Sequence, residues 1–136
     1  MRTYYIFKIK KHYANLANSK PYHIYKTIED MYYLSSKELL SPSNLFLQIY
    51  DRFNDNILNN IIYDEYKDLY TYTKYNNIHQ INDYFTNEQT KMIINKSYIL
   101  IKTSKQIPSF FNILSKRKDI FVCDFLNKDY FWLANI

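Results

Sequence analysis

Two adjacent acidic pairs, Glu29–Asp30 and Asp64–Glu65, a lone cysteine, Cys123, and the histidines His12, His23 and His79 are the side chains whose types suit acid–base, nucleophilic or metal chemistry. Their spacing supports none of it. Neighbours along a helix or strand point apart, so neither acidic pair can converge on one bond, and both read as solvated surface. Cys123 lies within Ile120-Phe121-Val122-Cys123, an unbroken apolar run, and reads as a small buried hydrophobe rather than an activated thiolate. The histidines are scattered, and without a cysteine partner at ligand spacing they do not make a zinc site. Asp124, where the apolar run ends, is expected to accept backbone N–H bonds in the following turn. Lys116, Arg117 and Lys118 read first as charges set against the negative end of a helix and only second as an anion contact. The chain has no glycine, which removes P-loops and dinucleotide fingerprints. No catalytic residue, metal ligand or cofactor is expected, and the residues alone name no function.

The elements that must position these groups are clearest toward the end of the chain. Ile107, Phe110, Phe111 and Leu114 fall at i, i+3, i+4 and i+7, which predicts an amphipathic helix with Pro108 in its first turn and its end near Ser115. The run Ile120–Cys123 predicts a central strand covered on both faces, because it lacks the alternation of a half-solvated one. Asn127, Lys128 and Asp129 form a polar turn, and Tyr130 to Leu133 return as a second strand.

Earlier in the chain, Thr3, Tyr5, Phe7 and Ile9 alternate with Tyr4, Ile6, Lys8 and Lys10 as a first strand would. His12 to Asn18 predicts a short helix, and Tyr22 to Leu34 a longer one introduced by Pro21. Ser43 is a good N-cap for a helix bearing Leu45, Phe46, Ile49, Tyr50 and Phe53, fraying through Asn54 to Asn60 and extended by Ile57, Leu58, Ile61 and Ile62. Tyr66 to Tyr75 alternates as a strand. Ile78, Ile81 and Phe85 permit a helical turn, followed by loop through Gln89. Lys91–Ile94 and Tyr98–Lys102 form a hairpin across Asn95, Lys96 and Ser97, where an Asn must accept the left-handed conformation. This order predicts an α+β fold in which residues 1–136 form a single domain, one mixed or antiparallel sheet packed with about four helices.

At 136 residues the chain is long enough for one core, and no run of 18 apolar residues or secretory leader is visible, so a cytoplasmic protein without a membrane segment is expected. A net charge of +5 and 16 tyrosines raise a nucleic-acid reading. The abundance of Lys, Asn, Ile, Tyr and Phe, however, follows A/T-rich codons. The positive charges are also spread along the chain, so direct nucleic-acid contact is not expected.

The opening Thr3-Tyr4-Tyr5-Ile6-Phe7-Lys8-Ile9-Lys10 followed by Tyr13-Ala14-Asn15 resembles the start of the sporulation inhibitor of replication family, SirA. Met92-Ile93-Ile94, Phe110-Phe111 with Leu114, Asp124-Phe125, Lys128, Tyr130 and Trp132-Leu133 are similar to its closing hairpin, helix and final strands. The middle, about residues 35 to 87, matches in helical character only. The resemblance implies a non-enzymatic regulator that binds the N-terminal domain of the replication initiator DnaA and inhibits initiation, monomeric when unbound. It implies a partner surface of Tyr13, Ala14 and Asn15 with Leu16 and Ala17 following, and aligns Tyr50 with a family tyrosine on a later helix. The family continues with further aromatics and a glycine where this chain has Leu16, Ala17, Asn18 and Ser19. The alternative is a small basic nucleic-acid-binding or mobile-element accessory protein; a third, weaker reading is an unrecognised hydrolase.

Overall fold

The structure, a computed structural model, describes residues 1–16, 20–34 and 49–136. Its first strand, β1 (Arg2–Ile9), sends Tyr4 and Ile6 to one face and Tyr5, Phe7 and Ile9 to the other, as its alternation requires. One edge of β1 pairs with β6 (Ile99–Thr103) and the opposite edge with β7 (Ile120–Asp124), which places Ile6 between Ile99 and Val122. A two-residue strand, β2 (Tyr50–Asp51), pairs with the end of β1 through Lys8 and Ile9. Lys8 also pairs with Ile120, so β2 lies on the β6 side, continuing that edge past the end of β6.

Outward from β6 the sheet continues through β5 (Glu88–Ile94) and β4 (Ile78–Asp83) to β3 (Tyr72–Tyr75); outward from β7 it ends at β8 (Asp129–Trp132). Every pairing is antiparallel. β6 and β7 run parallel to each other across β1, joined by a crossover that contains a short helix, α4 (Phe110–Leu114).

Helices cover both faces. On one, α3 (Asp55–Tyr66) and α4 bury Leu58, Ile62, Phe110, Phe111 and Leu114 against Tyr4, Ile6, Met92, Ile101 and Val122. On the other, α2 (Pro21–Leu34) sets Ile24, Tyr25 and Ile28 against Phe7, Phe121, Cys123 and Phe125, beside the short α1 (Lys11–Leu16). Stacked rings fill this second layer, with Tyr25 on Tyr130 at 4.5 Å and Tyr32 on Phe125 at 4.3 Å between centroids. β7 is therefore buried along its whole length, as its unbroken apolar run implies.

The structure corrects several expectations. Residues 43–48 lie outside the described residues, but Tyr50 stands on strand β2 rather than on a helix, because the backbone there completes the free edge of β1. The Asn-rich stretch starts its own helix: the Asn54 side chain accepts from the Ile57 N–H at 3.3 Å, capping α3, which runs on through Tyr66. Ile78–Asp83 is a strand, since pairing with both β3 and β5 outweighs its weak helical spacing. Ile107 is exposed, and the helix begins only at Phe110. Among the described residues the left-handed positions are Asn76 (φ 54°), Asn87 (φ 60°) and Lys128 (φ 53°), in the turns β3–β4, β4–β5 and β7–β8, not in the 95–97 turn. Two of the three are asparagine, which tolerates that conformation best in a chain without glycine.

Phe121 is wholly buried in β7, a strand covered along its whole length, whereas Trp132 on the edge strand is half-buried. Phe121→Ala is expected to cost about 3–5 kcal/mol and Trp132→Ala less, in urea unfolding monitored by circular dichroism.

Candidate functional site

The segment that the sequence marks for a partner follows directly on β1. Three backbone bonds fix where the chain leaves the sheet: Ile9 N–H to Asp119 O at 2.9 Å, Lys10 N–H to Ile49 O at 3.0 Å and Ala14 N–H to Lys10 O at 3.0 Å. With only Lys10 between strand and helix, α1 is held against the body despite being too short to be stable alone. Its inward side carries Tyr13 and Ala14, both half-buried against the α2-side core, while Lys11, His12 and Asn15 are exposed. Leu16 ends the helix, and Ala17 lies outside the described residues.

Tyr50 joins the same apolar cluster from β2, paired with Ile9 and with its ring 5.1 Å from that of Phe7. It is 1% exposed, and burial, with Tyr98 nearby, pushes its phenol up to about 12. The structure thus brings Tyr13, Ala14 and Tyr50 into one cluster, with Asn15 on its solvent side.

The other side chains with chemical potential are tied into the fold. Asp124 accepts from Asn127 N–H at 3.2 Å and from Asn127 Nδ2 at 2.8 Å, the turn role expected of it. It also receives Arg2 Nε at 3.1 Å, and the same guanidinium reaches Asp129 at 3.3 Å, so the start of β1 is ionically fastened to the β7–β8 hairpin. Glu29 is not solvated surface. It is buried and accepts from Tyr25 Oη at 2.5 Å and Lys26 Nζ at 3.2 Å. The tyrosine hydrogen bond, foremost, holds its carboxyl below the usual range against the opposing effect of burial. Asp30, Asp64 and Glu65 are exposed. Cys123 is buried, which pushes its thiol well above the ordinary value.

Two buried arrangements escaped sequence reasoning, because their partners lie far apart in the chain. Glu88 accepts from Thr90 Oγ1 at 2.6 Å, from Ser109 N–H at 3.0 Å and from the Ser109 hydroxyl, so a carboxylate on β5 satisfies the start of α4. His79 is bound on both ring nitrogens, Nδ1 to Tyr72 Oη and Nε2 to Asn59 Oδ1, each at 2.7 Å. With the amide oxygen as acceptor, Nε2 carries the proton and the tyrosine donates to Nδ1. Among the described residues no three His, Cys, Asp or Glu side chains gather where a metal ion could be held. Nor is any helix among them long and apolar enough to cross a membrane.

Against known proteins, the family model described as sporulation inhibitor of replication protein SirA matches residues 2–136. No curated protein matches the chain.

Burial, foremost, and the nearby charge of Lys74 lower the His79 imidazole to about 4 from its ordinary 6.5. The unfolded chain therefore binds a proton that the folded one does not, and stability due to this site is full above pH 6.5 and falls as the pH drops toward 4. Denaturant titrations across that window are expected to show a slope of up to about 1.4 kcal/mol per pH unit from this site, lost in His79→Gln between pH 6.5 and 5 and leaving at the acid end the same-signed fall due to Glu29.

Proposed function

The chain belongs to the family of sporulation inhibitors of replication, SirA, and on that premise we propose that it binds the N-terminal domain of the replication initiator DnaA through α1. Inhibition of replication is the role its family carries; the partner domain and the residues that touch it are our reading. The observation that carries this reading is the placement of α1. A single turn and a half of helix, fastened at the end of a central strand, holds Tyr13 half in the core with Asn15 beside it in solvent. An aromatic ring fixed by its own fold loses little freedom on docking, and rings of this kind dominate protein interfaces.

In this reading Tyr13, Ala14 and Asn15 form the contact, Leu16 and Ala17 extend it, and Tyr50 is a positioning residue that stiffens the floor below. The protein acts as a monomeric, cytoplasmic regulator that occludes or reorients the initiator, with no chemical turnover. Residues 1–136 work as one domain, a reading supported by the pairing of β1, near one end of the sequence, with β7, near the other.

Asn15 is exposed, so Asn15→Arg tests the interface without disturbing the core. It is expected to abolish binding to the isolated DnaA N-terminal domain in calorimetric titration, with stability unchanged within about 0.5 kcal/mol. Tyr13→Ala should weaken binding by about 30-fold or more, since it removes an interface anchor, with a modest fall in melting temperature. Wild-type affinity in both variants would place the interface elsewhere.

A further inference from the structure

The two faces of the sheet are not covered equally. On the α2 side, helix and strands pack together over β1, β7 and β8. The β3–β6 side chains that share this face are all exposed or half-buried, and none of them is acidic. The register arranges them in two parallel rows. One runs Lys102, Lys91, Gln80, with the lysines directly opposite each other and exposed. The other runs Leu100, Ile93, Ile78, Tyr75, ending in a tyrosine that is 74% exposed. Two residues separate the rows along each strand, roughly 6.6 Å, and each step across a row is roughly 4.8 Å.

Beyond the lysine row, at the far end of β4 and β5, the chain turns through Tyr84 and Phe85, which are 97% and 91% exposed. This tip is ordered by its own hydrogen bonds: Asp83 Oδ1 accepts from the N–H of Phe85 at 2.9 Å and of Thr86 at 3.4 Å, and Asn87 takes the left-handed conformation. By register the lysine row thus lies between Tyr75 on one side and the turn that carries Tyr84 and Phe85 on the other. Charges that are scattered in sequence meet only when β5 and β6 pair.

We propose that this face binds single-stranded nucleic acid, with Lys91 and Lys102 on the phosphates and Tyr75, Tyr84 and Phe85 against bases. Like charges directly opposite each other on paired strands cost stability, and an anion lying across them reverses that cost. The row separation is close to the distance from a nucleotide's phosphate to its base, so one row can follow the backbone while the other lies under the bases. A carboxylate-rich peptide would engage the lysines but leave the aromatic side chains unused, and a duplex hides the base faces they would stack on.

The test is fluorescence anisotropy of the full chain with a labelled oligothymidine of about 12 nucleotides, within the span such surfaces cover. Binding is expected at low salt and should fall as salt rises. Lys91→Gln with Lys102→Gln should flatten the log–log salt dependence by about 1.4, roughly 0.7 for each phosphate that the variant no longer neutralises. Tyr84→Ala with Phe85→Ala should weaken binding about tenfold without changing that slope. Neither pair should lower the melting temperature or alter association with the DnaA domain, so this surface and the one on α1 can fail separately. No binding at low salt, an unaltered slope in the lysine pair, or equally tight binding of a duplex or of polyglutamate would overturn the proposal.

Discussion

Pairing of β1 along both of its edges is the constraint on which the rest of this fold depends. A central strand must satisfy its backbone on two sides and bury side chains on two faces, and this one does so with residues from distant parts of the chain. Tyr4 and Ile6 enter one hydrophobic layer while Phe7 and Ile9 enter the other, so neither layer can assemble fully without it. Arg2 adds an ionic tie at its start, bridging Asp124 and Asp129 on the neighbouring hairpin. At its other end β2 completes the edge that β6 leaves short, and the hydrogen bond from Lys10 to Ile49 sets the direction in which α1 departs. The position of α1 is thus a consequence of how the edges of β1 are filled.

Most groups able to do chemistry are spent on structure. Glu88 closes the start of α4, His79 joins β4 to α3 and β3, Glu29 holds Tyr25, and Asp124 anchors both a turn and Arg2. A buried polar group left unpaired is costly, and these are paired several times over. The chain belongs to a family of sporulation inhibitors of replication.

The legible part of the sequence was the part with strong local pattern. The alternation of β1, the unbroken apolar run of β7, the helical spacing of α2 and the turn role of Asp124 all follow from periodicity or short-range chemistry. The pairing of the first strand with β7, Ile6 lying opposite Val122, joins two of these legible elements. What escaped was decided at long range. Tyr50 has helical neighbours in sequence but sits on a strand because β1 had an edge to fill. Ile78–Asp83 lacks a clear strand pattern because His79, Gln80 and Asn82 interrupt it, with His79 inside the core through two hydrogen bonds to residues elsewhere. Ile107 fits the helical face by spacing, yet the helix begins only where Glu88 caps it. For the candidate surface, Tyr13, Ala14 and Asn15 were legible only through family resemblance; the structure adds that Tyr13 and Ala14 are half-buried and Asn15 is exposed.

Native-state hydrogen exchange tests most directly whether β1 is the organising strand. Amides of Ile6 and Phe7 should be among the slowest in the protein and exchange only through global unfolding, with protection matching the free energy from denaturant. Exchange at Ile6 and Phe7 by local opening, faster than in the β4–β5 hairpin, would contradict the account and place the organising core in the outer half of the sheet.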